Sequence, residues 1–285
     1  IVEREREIEA FEPQEYWTIS ANLKKDKAYE AKLSVFKESP VKKFTFNSTE
    51  LVESASKELN EHCTEGLLAK SIIKKSIKRS PREPFRTSVL QQQASNKFGF
   101  SPKRTMQIAQ SLYAREGGGL ITYIRTDSIE IDQGKLPSVR GQVAAMYGDD
   151  YLQPRNYKNK KEAKNIQEAH GAITPVDISL TPGEAKKILQ EDELKLYQLI
   201  WQRTIASQMK DAIFERTSIE FVPVGDDALA TFSFSDQELT FSGYLEATQE
   251  EVTNNKPPPI NENDAIEFKG LIKTQHFTDP PPRYN

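Results

Sequence analysis

The sequence predicts an α+β protein of several domains, in which a mainly helical domain is inserted into a β domain built from two chain segments. Residues 16–36 and 216–272 contain runs in which apolar and polar residues alternate, and this alternation is typical of strands. Residues 87–113 and 182–209 instead combine helix-start signals with apolar residues at helical spacing. The 285 residues are enough for one large or two medium domains with their own cores.

The first β segment is predicted to contain strands and helices. Its predicted elements are, in order, a surface helix over 1–10, strands over 16–23, 29–36 and 43–46, a helix over 49–60, and a strand over 67–78. Glutamate and arginine alternate in the first helix, which favours ion pairs between successive turns. Ser48 or Thr49 can accept the hydrogen bond that starts the second helix. The last strand mixes isoleucines with lysines, as expected of a strand with one solvated face.

The inserted segment is marked by helix boundaries. Thr87 or Ser88 is predicted to cap a helix that ends at Gly99. Ser101 and Pro102 start the next helix, because proline is favoured at the first helical position. The remaining predicted elements are a strand over 121–125, helices over 137–147 and 182–209, and strands over 216–222, 229–234, 239–244 and 265–272. We expect the strands of both β segments to pair in one barrel or sandwich.

The composition is that of an ordinary water-soluble protein. Hydrophobic residues make up 36% and charged residues 28%, and no apolar run reaches the roughly 20 residues that a membrane-spanning helix needs. Cys63 is the only cysteine, which excludes an internal disulfide and a cysteine-based zinc site. A reducing compartment such as the cytoplasm is therefore expected.

Lysine and arginine are concentrated in the middle of the chain. Residues 66–125 contain 12 Lys and Arg against 2 Asp and Glu, whereas residues 226–285 contain 4 against 11. Because local fields matter more to a polyanion than the net charge of −3, this distribution is compatible with DNA binding. A second basic cluster, over 155–164, precedes His170. The alternative is a solvated basic face, which is common on proteins of every class.

Residues 120–128 carry the strongest candidate for chemistry. If they are extended, Tyr123 and Arg125 lie on the same side of a strand, because residues i and i+2 share a face. A phenol can act as a nucleophile and a guanidinium can hold two phosphate oxygens, so this pair suits a reaction on a phosphodiester. The alternatives are a buried structural tyrosine, and a surface arginine paired with Asp127 or Glu130.

Several blocks of the sequence, taken in order, resemble the bacterial type IA DNA topoisomerases. Besides 120–128, the resembling blocks are residues 1–8, 84–92, 97–106, 111–113, 167–170 and 275–278. Together they reach across nearly the whole chain, so the resemblance rests on far more than one tyrosine motif. It implies that the two β segments form a β-barrel-like arch and that the inserted helical domain bears the catalytic tyrosine.

The resemblance implies three catalytic residues. Tyr123 would attack a DNA phosphate and keep the 5′-phosphate as a phosphotyrosine, which frees a 3′-hydroxyl. Arg125 would hold the scissile phosphate and stabilise the charge on its oxygens. His170 would contact the phosphate or relay protons. At position 174 the family usually has an arginine and this sequence has Thr174, which leaves any phosphate contact from that position open.

Four further residues are candidates for supporting the site. Asp127 and Ser128 complete the motif, and we expect them to shape the turn and to orient Arg125. Lys103 and Arg104 begin a helix, where backbone N–H groups already favour anions, so they are candidates for binding DNA phosphates. A solvated first turn of the helix explains these two residues equally well.

The resemblance also implies a division into domains. Residues 11–82 and 210–275 would form the arch, and residues 83–209 would form the catalytic-tyrosine domain. Residues 1–10 would end a neighbouring helical domain, to which residues 276–285 would return. The family's Mg²⁺ ligands belong to a separate N-terminal domain, so no metal ligands are expected here. We therefore expect the chain on its own to be inactive.

The implied enzyme is an isomerase that relaxes negatively supercoiled DNA without ATP, by single-strand cleavage, strand passage and religation. Its implied partner is a single-stranded segment of the duplex. We expect a monomer in the bacterial cytoplasm, at the nucleoid, without contact to a membrane. The alternatives are the topoisomerase module of reverse gyrase, a non-catalytic module that binds single-stranded DNA, and a purely structural protein.

Overall fold

The computed structural model describes residues 2–159 and 170–283, and it shows an α+β protein with one seven-stranded antiparallel sheet and several helices. Residues 160–169, which include most lysines of the second basic cluster, lie outside the described residues. The chain divides into two compact units. Unit 1 contains Ile1–Ser76, Glu215–Glu238 and Thr253–Asn285, and unit 2 contains Ile77–Phe214 and Leu239–Val252.

Most of the sheet belongs to unit 1. Its strands are β1 (Glu15–Lys24), β2 (Ala28–Phe36), β3 (Ser39–Pro40), β4 (Leu67–Arg79), β5 (Ala212–Pro223), β6 (Ala230–Phe241) and β7 (Ala265–Phe277). The helices of unit 1 are α1 (Val2–Glu9) and α2 (Thr49–His62). The strand order is β1-β7-β4-β5-β6-β2-β3, and β1 also pairs with β2, so the pairings close on themselves.

The expected barrel is wrong, because the pairings form a ring without the continuous ladders of a barrel. A barrel requires neighbouring strands that pair along their length with a common tilt. Here β1 and β7 pair from Glu15↔Phe277 to Lys24↔Glu267. In contrast, β4 and β7 pair only at Leu67↔Ile266 and Leu68↔Ala265. The ladders of the ring therefore differ widely in length, from ten residue pairs between β1 and β7 to two between β4 and β7.

Unit 1 has its own hydrophobic core, formed by the sheet and α2. Leu59 of α2 and Phe221 and Phe232 of the sheet are fully buried in it. Ser48 caps α2, as predicted, by accepting a hydrogen bond from the Leu51 N–H at 3.4 Å. The strand predicted over 43–46 is wrong. These residues form a turn, since the Lys42 N–H donates to Thr45 Oγ1 at 2.8 Å.

Unit 2 is built around one long buried helix. Its helices are α3 (Thr87–Phe98), α4 (Pro102–Tyr113), α5 (Leu136–Tyr147), α6 (Pro182–Ala185), α7 (Glu191–Ala206) and α8 (Leu245–Thr248), with a 3-10 turn over Asp149–Tyr151. Tyr197 and Trp201 of α7 are buried, and they donate hydrogen bonds to Leu180 O at 2.7 Å and Ile178 O at 2.9 Å. These bonds satisfy the polar atoms of both aromatic side chains inside the core.

Two predicted elements have different boundaries in the structure. The helix predicted over 182–209 is two helices, because Gln190 starts α7 with a capping box that includes Glu193. The strands predicted over 229–234 and 239–244 form one continuous strand, β6. By contrast, Gly99 ends α3 in the left-handed conformation at φ 70°, as its sequence position predicted.

Candidate active site

The segment that carries Tyr123, residues 120–130 and here called the Tyr123 loop, is not the strand that was predicted. Only Ile121 makes a bridge, to Pro175, and the backbone bends at Ile124 and Arg125. Tyr123 and Arg125 therefore do not share the face of a strand. Tyr123 is half-buried, whereas Arg125 is exposed.

Thr87 explains the bend. Its hydroxyl lies 2.8 Å from Ile124 O and 3.0 Å from Thr126 O, and it accepts a hydrogen bond from the Thr126 N–H at 2.9 Å. The loop therefore folds around one side chain at the start of α3. The sequence predicted Thr87 or Ser88 as the helix cap, but Arg86 occupies the cap position without a side-chain bond. The only sequence signal for the role of Thr87 is its place in the resembling block over 84–92.

Tyr123 lies between two other rings. The centroid of its ring is 4.5 Å from that of His170, with 42° between the planes. The centroid of Tyr113, at the end of α4, is 5.7 Å away in an edge-on arrangement. The structure thus brings Tyr123 and His170 together, although 47 positions separate them in the sequence. Tyr113 is a neighbour that the residue-by-residue reasoning missed, although its block was part of the resemblance.

The backbone of residues 170–175, here called the His170 segment, lies along the Tyr123 loop. The Thr122 N–H donates to Thr174 O at 2.8 Å, and the Thr174 N–H donates to Thr122 Oγ1 at 2.9 Å. At the other end, Thr126 Oγ1 donates to His170 O at 3.3 Å. A Cβ on Gly171 would lie 2.8 Å from Glu130 O, so this close approach of two backbones requires glycine. These contacts fix His170 beside Tyr123.

Thr174 is buried and bonded within the protein. Lys135 Nζ lies 3.3 Å from its hydroxyl oxygen and donates to Pro175 O at 2.9 Å. Burial lowers the pKa of Lys135, and Asp132 acts in the opposite direction. A lysine that the sequence reasoning missed therefore supports the position at which the resemblance expects an arginine. No motif singles out Lys135 in the sequence.

Asp127 and Ser128 differ in their surroundings. Asp127 is exposed, and in the described part of the chain neither it nor Arg125 has an ion-pair or hydrogen-bond partner. Ser128 is buried, and its hydroxyl accepts hydrogen bonds from the Glu130 N–H at 3.1 Å and from Asn159 Nδ2 at 3.2 Å. Ser128 thus shapes the turn after Arg125, whereas Arg125 itself stays available to a ligand.

Lys103 and Arg104 begin α4, and Tyr113 ends it. A rise of 1.5 Å per residue places Lys103 about 15 Å along the helix from Tyr113. Arg104 forms an ion pair with Asp192 at 2.7 Å, and Lys103 is exposed with no ion pair to any described residue. The structure therefore does not bring these two residues into the Tyr123–His170 pair.

Arg155 of the second basic cluster forms hydrogen bonds within the protein. It donates hydrogen bonds to Met209 O and to Asp211 Oδ1 within unit 2. Its side chain is therefore engaged with carbonyl and carboxylate oxygens of the protein.

Across residues 2–159 and 170–283, no three His, Cys, Asp or Glu side chains are grouped so that they could hold a metal ion. The described side chains therefore do not fit a Mg²⁺ site. In the same part of the chain, no helix is both long and apolar enough to cross a membrane.

Known proteins resemble the chain along its whole length. A family described as DNA topoisomerase matches residues 1–285. DNA topoisomerase 1 of Rickettsia felis is 40% identical over 301 residues, which cover 100% of this chain and 38% of that protein. DNA topoisomerase 1 of Helicobacter pylori (strain ATCC 700392 / 26695) is 40% identical over 292 residues, with the same 100% and 38% coverage.

A solved structure has the same fold. Full-length topoisomerase I from Thermotoga maritima matches with a TM-score of 0.78 and 31% sequence identity, over 99% of this chain and 44% of that chain. The chain thus spans well under half the length of the relatives it matches. Since the family match extends from the first residue to the last, the chain belongs to the bacterial type IA DNA topoisomerases.

Proposed function

We propose that the chain is the arch and tyrosine-bearing part of an isomerase that relaxes negatively supercoiled DNA by ATP-independent single-strand cleavage, strand passage and religation. The observation that carries the proposal is the contact between the rings of Tyr123 and His170, 4.5 Å apart, in a member of this family. The substrate is a single-stranded segment of the duplex. The proposed domain boundaries remain 11–82 with 210–275 for the arch and 83–209 for the tyrosine domain, with residues 1–10 and 276–285 belonging to a neighbouring domain.

In the proposed cleavage, Tyr123 Oη forms a bond to phosphorus while the bond from phosphorus to the 3′ oxygen breaks. The phenolic proton leaves Tyr123 and the departing 3′ oxygen takes up a proton, which gives a 5′-phosphotyrosine and a 3′-hydroxyl. We assign the transfer of these protons to His170. Its contact with the Tyr123 ring supports this role. Religation reverses each step, and because the phosphotyrosine conserves the energy of the phosphodiester, ATP is not needed.

Arg125 holds the scissile phosphate in this proposal. Its side chain is exposed and unpaired in the described part of the chain, so its N–H groups can bind two phosphate oxygens. Asp127 and Ser128 orient Arg125 through the turn that follows it. Lys103 and Arg104 bind DNA phosphates further along the strand, and Arg104 must first leave Asp192, which makes Lys103 the more available of the two.

The proposed parent enzyme uses Mg²⁺, whose ligands lie outside this chain, and no step above is assigned to it. We further propose that the parent works as a monomer in the cytoplasm, at the bacterial nucleoid.

The proposal is tested by trapping the covalent intermediate. The full-length parent is incubated with 3′-end-labelled single-stranded DNA and stopped with denaturant, in the native form and as Tyr123→Phe. Tyr147→Phe is the matched control, because this half-exposed tyrosine lies in unit 2 without a contact to Tyr123. We expect a labelled adduct from the native and control proteins only. A folded parent that binds DNA without forming an adduct would be a non-catalytic single-strand-binding module.

A further inference from the structure

Unit 2 contains a polar cleft that the cleavage chemistry does not use. It has a volume of about 540 Å³ and lies between α3, α7 and the residues that follow α8. The residues that matter for its chemistry are Arg82, Gln93, Lys97, Gln202, Arg203 and Thr248. A volume in the range of about 300–1,000 Å³ is typical of sites that hold a small organic ligand.

Three side chains at the cleft are more than nine-tenths buried and have unused hydrogen-bonding capacity. Among the described residues, neither the buried Thr248 Oγ1 nor the Gln202 amide has a hydrogen-bond partner. Of the five N–H groups of Arg203, one donates to a described residue, to Glu83 O at 3.2 Å. The guanidinium lies over the ring of Phe85 at 4.3 Å. Because buried polar groups are normally hydrogen-bonded, unused capacity of this kind in residues that line one cleft indicates a binding site.

The charges around the cleft favour an anion. Arg82 and Lys97 are exposed at its mouth, and neither forms an ion pair with a described residue. Burial, and next the nearby charge of Arg82, lower the pKa of Arg203 to about 10, so Arg203 remains a cation at neutral pH. The opposing charges are Glu250 and Glu251, which leave the cleft with one more positive than negative charge.

We propose that this cleft binds one nucleotide unit of single-stranded DNA, with the phosphate against Arg82 and Lys97 and the edge of the base against the amides of Gln93 and Gln202. Arginine and lysine are the usual partners of phosphate, and side-chain amides can both donate to and accept from a base edge. The proposal depends on the proposed function only in taking DNA as the ligand.

Helix α3 links the cleft to the Tyr123 loop, so a nucleotide bound in the cleft would position the DNA strand for cleavage. Thr87, the first residue of α3, holds the Tyr123 loop, and Gln93 and Lys97 lie further along the same helix. At 1.5 Å per residue these two side chains originate about 9 and 15 Å from Thr87 along the helix axis. One rigid helix therefore connects the nucleotide in the cleft to the loop that carries Tyr123. The cleft would hold the DNA strand at a fixed distance from the phosphate that is cleaved.

The phosphate contact is tested with the full-length parent carrying Tyr123→Phe, so that no adduct forms. Binding of a fluorescein-labelled 12-nucleotide single strand is measured by anisotropy over a range of salt. The double variant Arg82→Gln with Lys97→Gln should bind about tenfold more weakly and lose roughly 0.7 from its salt slope, the value for the one phosphate that the two side chains share. Lys186→Gln, an exposed lysine of unit 2 outside the cleft, is the control. A double variant that matches this control overturns the proposal.

Two further measurements test the contact between Gln93 and the base and the place at which the strand binds. Gln93→Leu should weaken binding of the 12-nucleotide strand several-fold and leave binding of an abasic strand of the same length unchanged. Equal effects on both strands would overturn the base contact. A strand that carries 5-iododeoxyuridine should cross-link on irradiation to residues within 82–97, 199–203 or 248–251, and cross-links confined to other segments would overturn the location. Because the chemistry is disabled in these assays, their result is independent of the adduct experiment.

Discussion

At the scale of single residues, Thr87 determines the conformation of the Tyr123 loop. One hydroxyl contacts the carbonyls of Ile124 and Thr126 and also accepts the Thr126 N–H. No local pattern predicts this, because 37 positions separate Thr87 from Ile124 in the sequence. The β-favouring run over 121–125 was therefore assigned to a strand, and a tertiary contact overrides that preference.

Replacing Thr87 by valine removes this hydroxyl while keeping the shape of the side chain. We expect the free energy of unfolding to fall by about 1–3 kcal/mol, because the Thr126 N–H loses its acceptor. We also expect adduct formation by the full-length parent to fall at least tenfold, since small displacements of reacting groups are costly. Denaturant unfolding and the trapping assay measure the two effects. Thr87→Ser keeps the hydroxyl and should retain most of both properties, whereas unaltered cleavage by Thr87→Val would contradict the role of Thr87.

Cys63 gives a prediction about pH. Burial raises the pKa of its thiol to about 12, above the usual value of about 8.5 for an exposed thiol. Because the folded state favours the neutral thiol, this group stabilises the fold fully below about pH 8.5, and the contribution is lost as the pH rises towards 12. The reactive thiolate is correspondingly scarce in the native protein. We expect iodoacetamide at pH 8 to modify Cys63 only after unfolding, as mass spectrometry can detect, and rapid modification of native protein would refute this.

At the scale of elements, the sequence predicts best where the signals are local. The bounds of α2, α3 and α4 follow from Ser48, Gly99 and Pro102, and each of these residues acts within one turn of the helix it delimits. The pairing of Tyr123 with His170 has no such local signal. It was anticipated only through the resemblance, because the bridge and hydrogen bonds between the Tyr123 loop and the His170 segment are non-local contacts.

The close packing of these two segments can be tested at Gly171. A methyl group there would meet Glu130 O at 2.8 Å, so Gly171→Ala should displace the His170 segment and lower the free energy of unfolding. Gly141 in α5 has open space around the added Cβ, and Gly141→Ala should raise that free energy by roughly 0.5–1 kcal/mol. Urea unfolding compares the variants. A Gly171→Ala protein as stable and as active in adduct formation as the native one would disprove the need for glycine.

At the scale of the whole molecule, the chain spans 38% of its Rickettsia felis relative, and the proposed function assigns the Mg²⁺ ligands to the rest of the parent enzyme. We therefore predict that the isolated chain does not relax supercoiled plasmid DNA in the presence of Mg²⁺. Agarose-gel electrophoresis measures this, with the full-length parent as the active control. Relaxation by the pure chain, abolished by Tyr123→Phe, would show that the chain is sufficient.

The long pairing of β1 with β7 also affects the order in which the two units can fold during synthesis. β1 emerges from the ribosome about 250 residues before its partner β7, which corresponds to roughly 12–50 s of translation. Nearly all of unit 2 is synthesised in that interval, and its core lies mostly within Ile77–Phe214. The inserted unit can therefore fold first, while the edge of β1 that later pairs with β7 is still unpaired. A nascent chain that stops before residue 265 keeps that edge exposed, so premature termination near the end of the chain should produce a protein prone to aggregation.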